Sequence, residues 1–286
     1  MTTPASSLPA LQSVVDIEIP GLESYGNIPV RIYTPQGDGP FGVTIYIHGG
    51  GWGALSIDSH DRICRSMTQR SGHITVSVGY HLVPAAVYPT QTHECYAALE
   101  WVHAHAATFN GDPTRIAIAG DSAGGNLATV TALRAIRTPG APKINLQVLI
   151  YPMLDYYNPE RDSYRRYGKG LAVTTELSKK VYDGYLPNGF DAQDSYIFPL
   201  RMPKEDLARM PPALVVLAEQ DILVDEGTEY VQKLQEVGVS AEQVIVPEVQ
   251  HSFLIPAEEE EKSQSAMKVI ATAIRNAHNT PKDVKA

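Results

Sequence analysis

Six short runs of apolar, β-branched residues recur along the chain with helical stretches between them, and this alternation restricts the available folds more than any other feature. The runs cover residues 43–47, 74–78, 115–119, 146–151, 213–218 and 243–246. Strands that are apolar throughout, without polar alternation, are buried on both faces, as in a parallel sheet covered by helices on each side. Between the first two runs, residues 59–70 place Ile63 and Met67 four apart, on one helical face. Between the second and third, Cys95, Leu99, Val102 and Ala106 make a single helical stripe. Two earlier runs, 14–19 and 30–33, alternate in polarity between Pro and Gly and predict a hairpin-like pair. Eight strands with intervening helices predict the α/β class, with a doubly wound, mostly parallel sheet flanked by helices.

Residues 155–210 break the alternation. They contain no clear strand, several Gly and Pro, and seven of the 15 tyrosines. A helical cap inserted into a single catalytic domain spanning 1–286 is expected there, with the N-terminal arm 1–13 as a second contributor. Tyrosine has an apolar body and a wet hydroxyl, which suits a pocket wall or a subunit contact and leaves a homodimer open. The run Glu258-Glu259-Glu260-Glu261 follows Pro256 and precedes an apolar-periodic stretch through Met267 and Ile270, so it predicts the solvated first turn of a helix.

The charge balance, 23 Lys and Arg against 32 Asp and Glu for a net of −9, repels phosphate backbones and anionic headgroups, so nucleic acid is not an expected partner. Cys64 and Cys95 are too few for a disulfide scaffold. The first eight residues lack the basic and apolar regions of a secretory signal, and the most apolar run, 146–151, is far short of the roughly 20 residues a membrane span needs. A cytoplasmic protein without a membrane span is expected.

The chemistry is concentrated in three loops. Straight after the strand at 115–119 comes Gly120-Asp121-Ser122-Ala123-Gly124-Gly125-Asn126, followed by an Ala- and Leu-rich helical stretch. A serine on so sharp a strand-to-helix turn is pushed into the open, and glycines on either side remove Cβ atoms that would collide. A serine hydroxyl is a weak nucleophile and needs a base and an orienting acid. Asp221 follows the strand at 213–218 and is the expected acid; Asp225 and Glu226 are rivals, but as residues opening a helix they suit its dipole without catalytic duty. His251, after the strand at 243–246, is the expected base. His103 and His105 are about 200° apart on a helix and cannot share a ligand. His60, His73, His81 and His93 read as surface or core residues, and His278 lies in the tail. With no H-E-x-x-H, no paired C-x-x-C and no carboxylate cluster, neither metal nor cofactor is expected. His48-Gly49-Gly50-Gly51-Trp52 follows the strand at 43–47, and its glycines let backbone N–H groups approach a ligand. Gly50, Gly51 and Ala123 are the expected donors to a developing oxyanion.

Together these motifs, with Tyr151-Pro152, Asp221-Ile222-Leu223-Val224-Asp225-Glu226-Gly227 and His251-Ser252-Phe253, resemble the hormone-sensitive-lipase-like, bacterial family IV esterases of the α/β-hydrolase fold. The resemblance covers most of the chain. It implies Ser122, Asp221 and His251 as a triad, Gly50, Gly51 and Ala123 as the oxyanion hole, and His48 as a structural residue of its loop. Hydrolysis of small carboxylic esters with short to medium acyl chains, through an acyl-enzyme, is the expected activity. An amidase or arylformamidase with the same triad, or a non-catalytic receptor on the same fold, are the alternatives; His251 argues against the receptor. Two departures stand out. Tyr80-His81-Leu82-Val83-Pro84-Ala85 replaces the family's usual Tyr-Arg-Leu-Ala-Pro-Glu, which predicts a lost ion pair, and the arm before the first strand is short, which predicts an open pocket. The glycines at 49–51 predict a floor without side chains that admits tertiary-alcohol esters, with Trp52 as the residue able to refill it.

Overall fold

The computed structural model describes residues 9–255 and 261–277. The expectations for Glu258 to Glu260, for His278 and for residues 1–8 of the arm lie outside the described residues.

Eight strands form one sheet: β1 (Ser13–Ile19), β2 (Ile28–Thr34), β3 (Phe41–Ile47), β4 (Ile74–Val78), β5 (Gly111–Asp121), β6 (Leu146–Ile150), β7 (Ala213–Gln220) and β8 (Ala241–Gln250). Their order is β1-β2-β4-β3-β5-β6-β7-β8. β2 runs antiparallel to both neighbours, and every other pairing is parallel. β4 and β6 are buried along their whole length, their polar residues Thr75, Ser77 and Gln147 included, as in a sheet covered on both faces. β8 closes one edge, so Pro247 within it is tolerated where a central strand would lose a ladder bond.

Helices cover both faces. α1 (Asp61–Ser71) buries Ile63, Cys64 and Met67 in one apolar core, where they meet Met267 and Ile270 of the C-terminal helix. α2 (Thr90–His105) and α3 (Ala123–Arg137) bury Cys95, Leu99, Val102 and Leu127 in the other core. The strands divide between the two by period two: Ile116 and Ile118 of β5 face one core, Ala117 and Ala119 the other. Between β6 and β7 the chain leaves the sheet through α4 (Asp162–Tyr167), α5 (Thr175–Tyr185), a helical turn at Pro199–Arg201 and α6 (Lys204–Leu207), with no strand among these residues. α7 (Val224–Glu236) follows β7, and α8 (Glu261–Asn276) is the C-terminal helix. No helix of the described residues is long and apolar enough to cross a membrane.

β3, β5, β7 and β8 are parallel, so the residues that follow them emerge on one edge of the sheet, the carboxyl edge where open α/β sheets bind ligands.

Candidate active site

Ser122 sits between β5 and α3 with φ +55° and ψ −120°, a backbone state costly for a non-glycine residue and one that lifts its side chain out of the turn. The turn is too tight for side chains on its flanks: a Cβ on Gly124 would lie 2.0 Å from the Ile47 carbonyl oxygen, and one on Gly120 2.3 Å from the Gly124 carbonyl oxygen. The Ser122 N–H donates to the Ile150 carbonyl at 2.8 Å, and its own carbonyl accepts from Met153 at 3.1 Å, so β6 and the residues beyond it hold the turn.

Asp221 and His251 follow β7 and β8 directly. The Ser122 hydroxyl lies 2.9 Å from His251 Nε2, and His251 Nδ1 lies 2.6 Å from Asp221 Oδ2. Asp221 Oδ1 accepts from the Leu223 N–H at 3.1 Å, which fixes the carboxylate in the turn before α7. All three side chains are buried. The acceptor on Nδ1 selects the tautomer with its proton there and leaves Nε2 free to accept from the serine.

The loop after β3 brings Gly50 and Gly51 to the same place. The N–H groups of Gly50, Gly51 and Ala123 have no hydrogen-bond partner among the described residues. A pocket of about 320 Å³ opens over them, with Gly50, Gly51, Ser122, His251, Met153, Val173, Leu177 and Val181 among its lining residues. Ser178 and Ser252 also line it, and the rest of its side chains, apart from Ser122 and His251, are apolar, which suits the carbon chains of a small neutral molecule.

Behind this surface lies a buried polar group that the sequence did not reveal. Asp121 Oδ1 accepts from the Gly49 N–H at 2.9 Å and from the Tyr46 hydroxyl at 2.8 Å, and His60 Nε2 stands 3.2 Å away. Burial resists ionisation of Asp121, but the charge on His60 and these hydrogen bonds outweigh it, so its carboxyl sits below the usual range. Burial, by contrast, lowers the pKa of His48 to about 4, so this ring is neutral. His48 stacks on Tyr80, whose hydroxyl donates to the His48 carbonyl at 2.9 Å. The only sequence signal for Asp121 is its place beside the serine; His60, far away in the chain, has none.

Three expectations change. Asp225 and Glu226 do more than suit the α7 dipole: Asp225 accepts from the Ser163 N–H at 2.8 Å, and Glu226 accepts from the N–H groups of Leu154 at 2.9 Å and Asp155 at 3.0 Å. Both therefore tie down the excursion between β6 and β7. Burial pushes the Glu226 carboxyl up to about 8. The pair expected to be lost at His81 is replaced, because Glu94, fully buried, accepts from His81 Nδ1 at 2.6 Å and from its N–H at 2.8 Å. The glycine floor is not vacant either: a Cβ on Gly51 would lie 2.7 Å from Val181 Cγ1 of α5, and one on Gly50 2.0 Å from the Ala54 carbonyl oxygen. Trp52 does not refill that space, since its indole is buried against the Tyr185 ring, stacked at 4.1 Å.

A protein-family model described as the alpha/beta hydrolase fold matches residues 44–255. The chain belongs to the hormone-sensitive-lipase-like esterases of this fold. It is 34% identical over 253 residues to the ethyl acetate hydrolase of Pseudomonas putida, spanning 87% of this chain and 78% of that one. To the carboxylesterase NlhH of Mycobacterium tuberculosis it is 36% identical, spanning 89% of this chain and 79% of the relative. The solved structure of a hyperthermophilic esterase from the archaeon Pyrobaculum calidifontis superposes with a TM-score of 0.88 at 36% identity, over 94% of this chain and 84% of that one. This esterase therefore acts on carboxylic ester bonds, on an eight-stranded, mostly parallel sheet.

Proposed function

We propose that this esterase hydrolyses small carboxylic esters of short to medium acyl chain through an acyl-enzyme on Ser122, with His251 as general base and acid and Asp221 as the orienting carboxylate. The observation that carries the reading is one unbroken hydrogen-bonded chain, Ser122 Oγ to His251 Nε2 at 2.9 Å and His251 Nδ1 to Asp221 at 2.6 Å, opening into an apolar pocket. His251 takes the hydroxyl proton as Ser122 Oγ bonds to the ester carbonyl carbon. The tetrahedral oxyanion accepts from the N–H groups of Gly50, Gly51 and Ala123, and the proton passes from His251 to the departing alkoxide as the carbon–oxygen bond breaks. Water, deprotonated by His251, then releases the acid and restores the serine. Residues 155–210 act as a cap, since Val173, Leu177 and Val181 line the same pocket as the serine. The name of the Pseudomonas putida relative, an ethyl acetate hydrolase, supports a small substrate.

The test is the pre-steady-state burst of p-nitrophenol from p-nitrophenyl acetate. The native enzyme gives a burst equal to the active-site concentration, and mass spectrometry finds the acyl group on the peptide carrying Ser122. Ser122→Ala loses burst and turnover together; a variant that kept either would overturn the assignment.

A further inference from the structure

His60 stands immediately before α1, is wholly buried, and is not among the residues lining the pocket. Its Nε2 lies 3.2 Å from one oxygen of Asp121 and 3.4 Å from the other. Its Nδ1 lies 3.2 Å from the Ser56 carbonyl oxygen and 2.9 Å from Ser59 Oγ. The Ser59 hydroxyl proton is already directed to that same carbonyl, at 2.7 Å, so this oxygen offers His60 a lone pair. A carboxylate and a carbonyl only accept hydrogen bonds. Both ring nitrogens thus face oxygens able to accept, an arrangement that a doubly protonated ring satisfies at both ends, with the Asp121 carboxylate as its counter-charge.

Asp121 joins two parts of the site. It is the residue before Ser122, and its Oδ1 holds the Gly49 N–H that begins the oxyanion loop. We propose that the His60 imidazolium is a positioning residue for ester hydrolysis, holding Asp121 ionised and in place so that the Gly50 and Gly51 N–H groups are aimed at the reacting carbonyl. This rests on the reading of Ser122 and the glycine loop given above.

A pH consequence follows from the groups around the ring. Burial opposes a charge on His60, but Asp121 and the hydrogen bonds outweigh it, and the ring keeps its proton above the ordinary histidine range. Its charge is complete below that range and is lost as pH rises through the raised value. Tyr46 from β3, Cys64 from α1 and Tyr151 after β6 face the pair, and burial pushes the acidity of all three out of the working range. His48, 5.6 Å away, is neutral. Asp61, next to His60, is bonded to Arg65 at 2.7 Å and to Tyr33 at 3.0 Å. His60 is thus the group in this cluster whose charge is lost as pH rises above the ordinary histidine range.

The test compares the native enzyme with His60→Gln, which keeps a donor and removes the charge. For p-nitrophenyl acetate, kcat falls on the order of 10²-fold with KM within about twofold, because oxyanion donors act in the transition state. Affinity for a trifluoromethyl ketone, whose adduct with Ser122 carries the oxyanion, falls in parallel with kcat. The alkaline decline of kcat in the native enzyme is absent in the variant. Nitrogen-15 NMR of the native histidines supplies a readout independent of the variant's folding: one buried ring carries protons on both nitrogens at pH 7. Unchanged kcat and pH profile in a folded His60→Gln, or a native spectrum in which every buried ring is singly protonated at pH 7, would overturn the proposal. Retained turnover in Ser122→Ala would instead overturn the underlying assignment of the nucleophile.

Discussion

Three carboxylates stand within six residues after β7, and only their surroundings separate them. Asp221 faces His251, Asp225 faces the Ser163 N–H, and Glu226 faces two amides and the Tyr164 hydroxyl. Asp221→Asn presents the wrong hydrogen-bonding group to Nδ1, destabilises the reactive tautomer, and is expected to lower kcat on the order of 10⁴-fold. Asp225→Asn leaves the triad intact and costs far less turnover, with its effect appearing as a lower Tm. Steady-state kinetics and thermal melts of the two variants check the ranking, and the reverse order would move the triad acid to α7. Ser122→Ala and His251→Ala are expected to be nearly as deleterious singly as together, because each alone stops proton transfer from the nucleophile. The hydrogen-bonded chain Ser122–His251–Asp221, proposed as the triad, was legible because each member follows a strand whose pattern marks it, so order alone delivers the three to one edge. The work of Asp225 and Glu226 was not, since their partners lie 62 to 72 residues away and nothing local marks them.

At the scale of elements, the excursion between β6 and β7 is built onto the glycine loop after β3 through α5 and fastened to α7 through Glu226. Burial raises the Glu226 carboxyl to about 8, so over the interval between its ordinary value and about 8 the folded chain holds a proton that the unfolded chain has released. Stability therefore falls as pH rises through that interval. Glu226→Gln cannot ionise while keeping an oxygen for the Leu154 and Asp155 amides; its Tm is expected to change less than the native Tm between pH 5 and 8, measured by calorimetry. An identical pH slope in both proteins would remove Glu226 from the account. The contact of Val181 with Gly51 assigns tolerance of branched alcohols to α5 as much as to the glycines. Gly51→Ala, at φ +60° and facing Val181, is expected to lose activity on both n-butyl and tert-butyl acetate, whereas Val181→Ala raises the tert-butyl to n-butyl ratio severalfold. An unchanged ratio in Val181→Ala would return the specificity to the loop itself. Sequence reading located the excursion from its broken periodicity, but a helix crossing onto a glycine loop is a tertiary contact that no local pattern encodes.

For the whole molecule, the doubly wound sheet was the most legible feature, because burial on both faces imposes apolar strands and one-sided helices wherever they occur. Strand order and pairing were less so, since β4 lies between β2 and β3 and nothing in either neighbour's sequence states that register. The sheet gives the pocket its size. Its lining comes from the ends of β3, β5 and β8 and from α5, and its volume, about 320 Å³, lies at the small end of ligand pockets. An acyl chain that fits gains about 0.8 kcal/mol per buried methylene, and one that outgrows the pocket gains nothing further while losing the freedom of its ordered tail. Across p-nitrophenyl acetate, butyrate, octanoate and palmitate, kcat/KM is therefore expected to be highest for the two short esters and to fall steeply beyond them. Leu177, 42% exposed and among the residues lining the pocket, is where a longer chain meets the rim. Leu177→Ala should improve the octanoate to acetate ratio with little change on acetate, because an exposed rim residue bears on the added length of the chain more than on the short acetyl group. Equal kcat/KM for butyrate and palmitate in the native enzyme would show that the chain does not bind within these walls, and the acyl group would then have to run outward across the open surface.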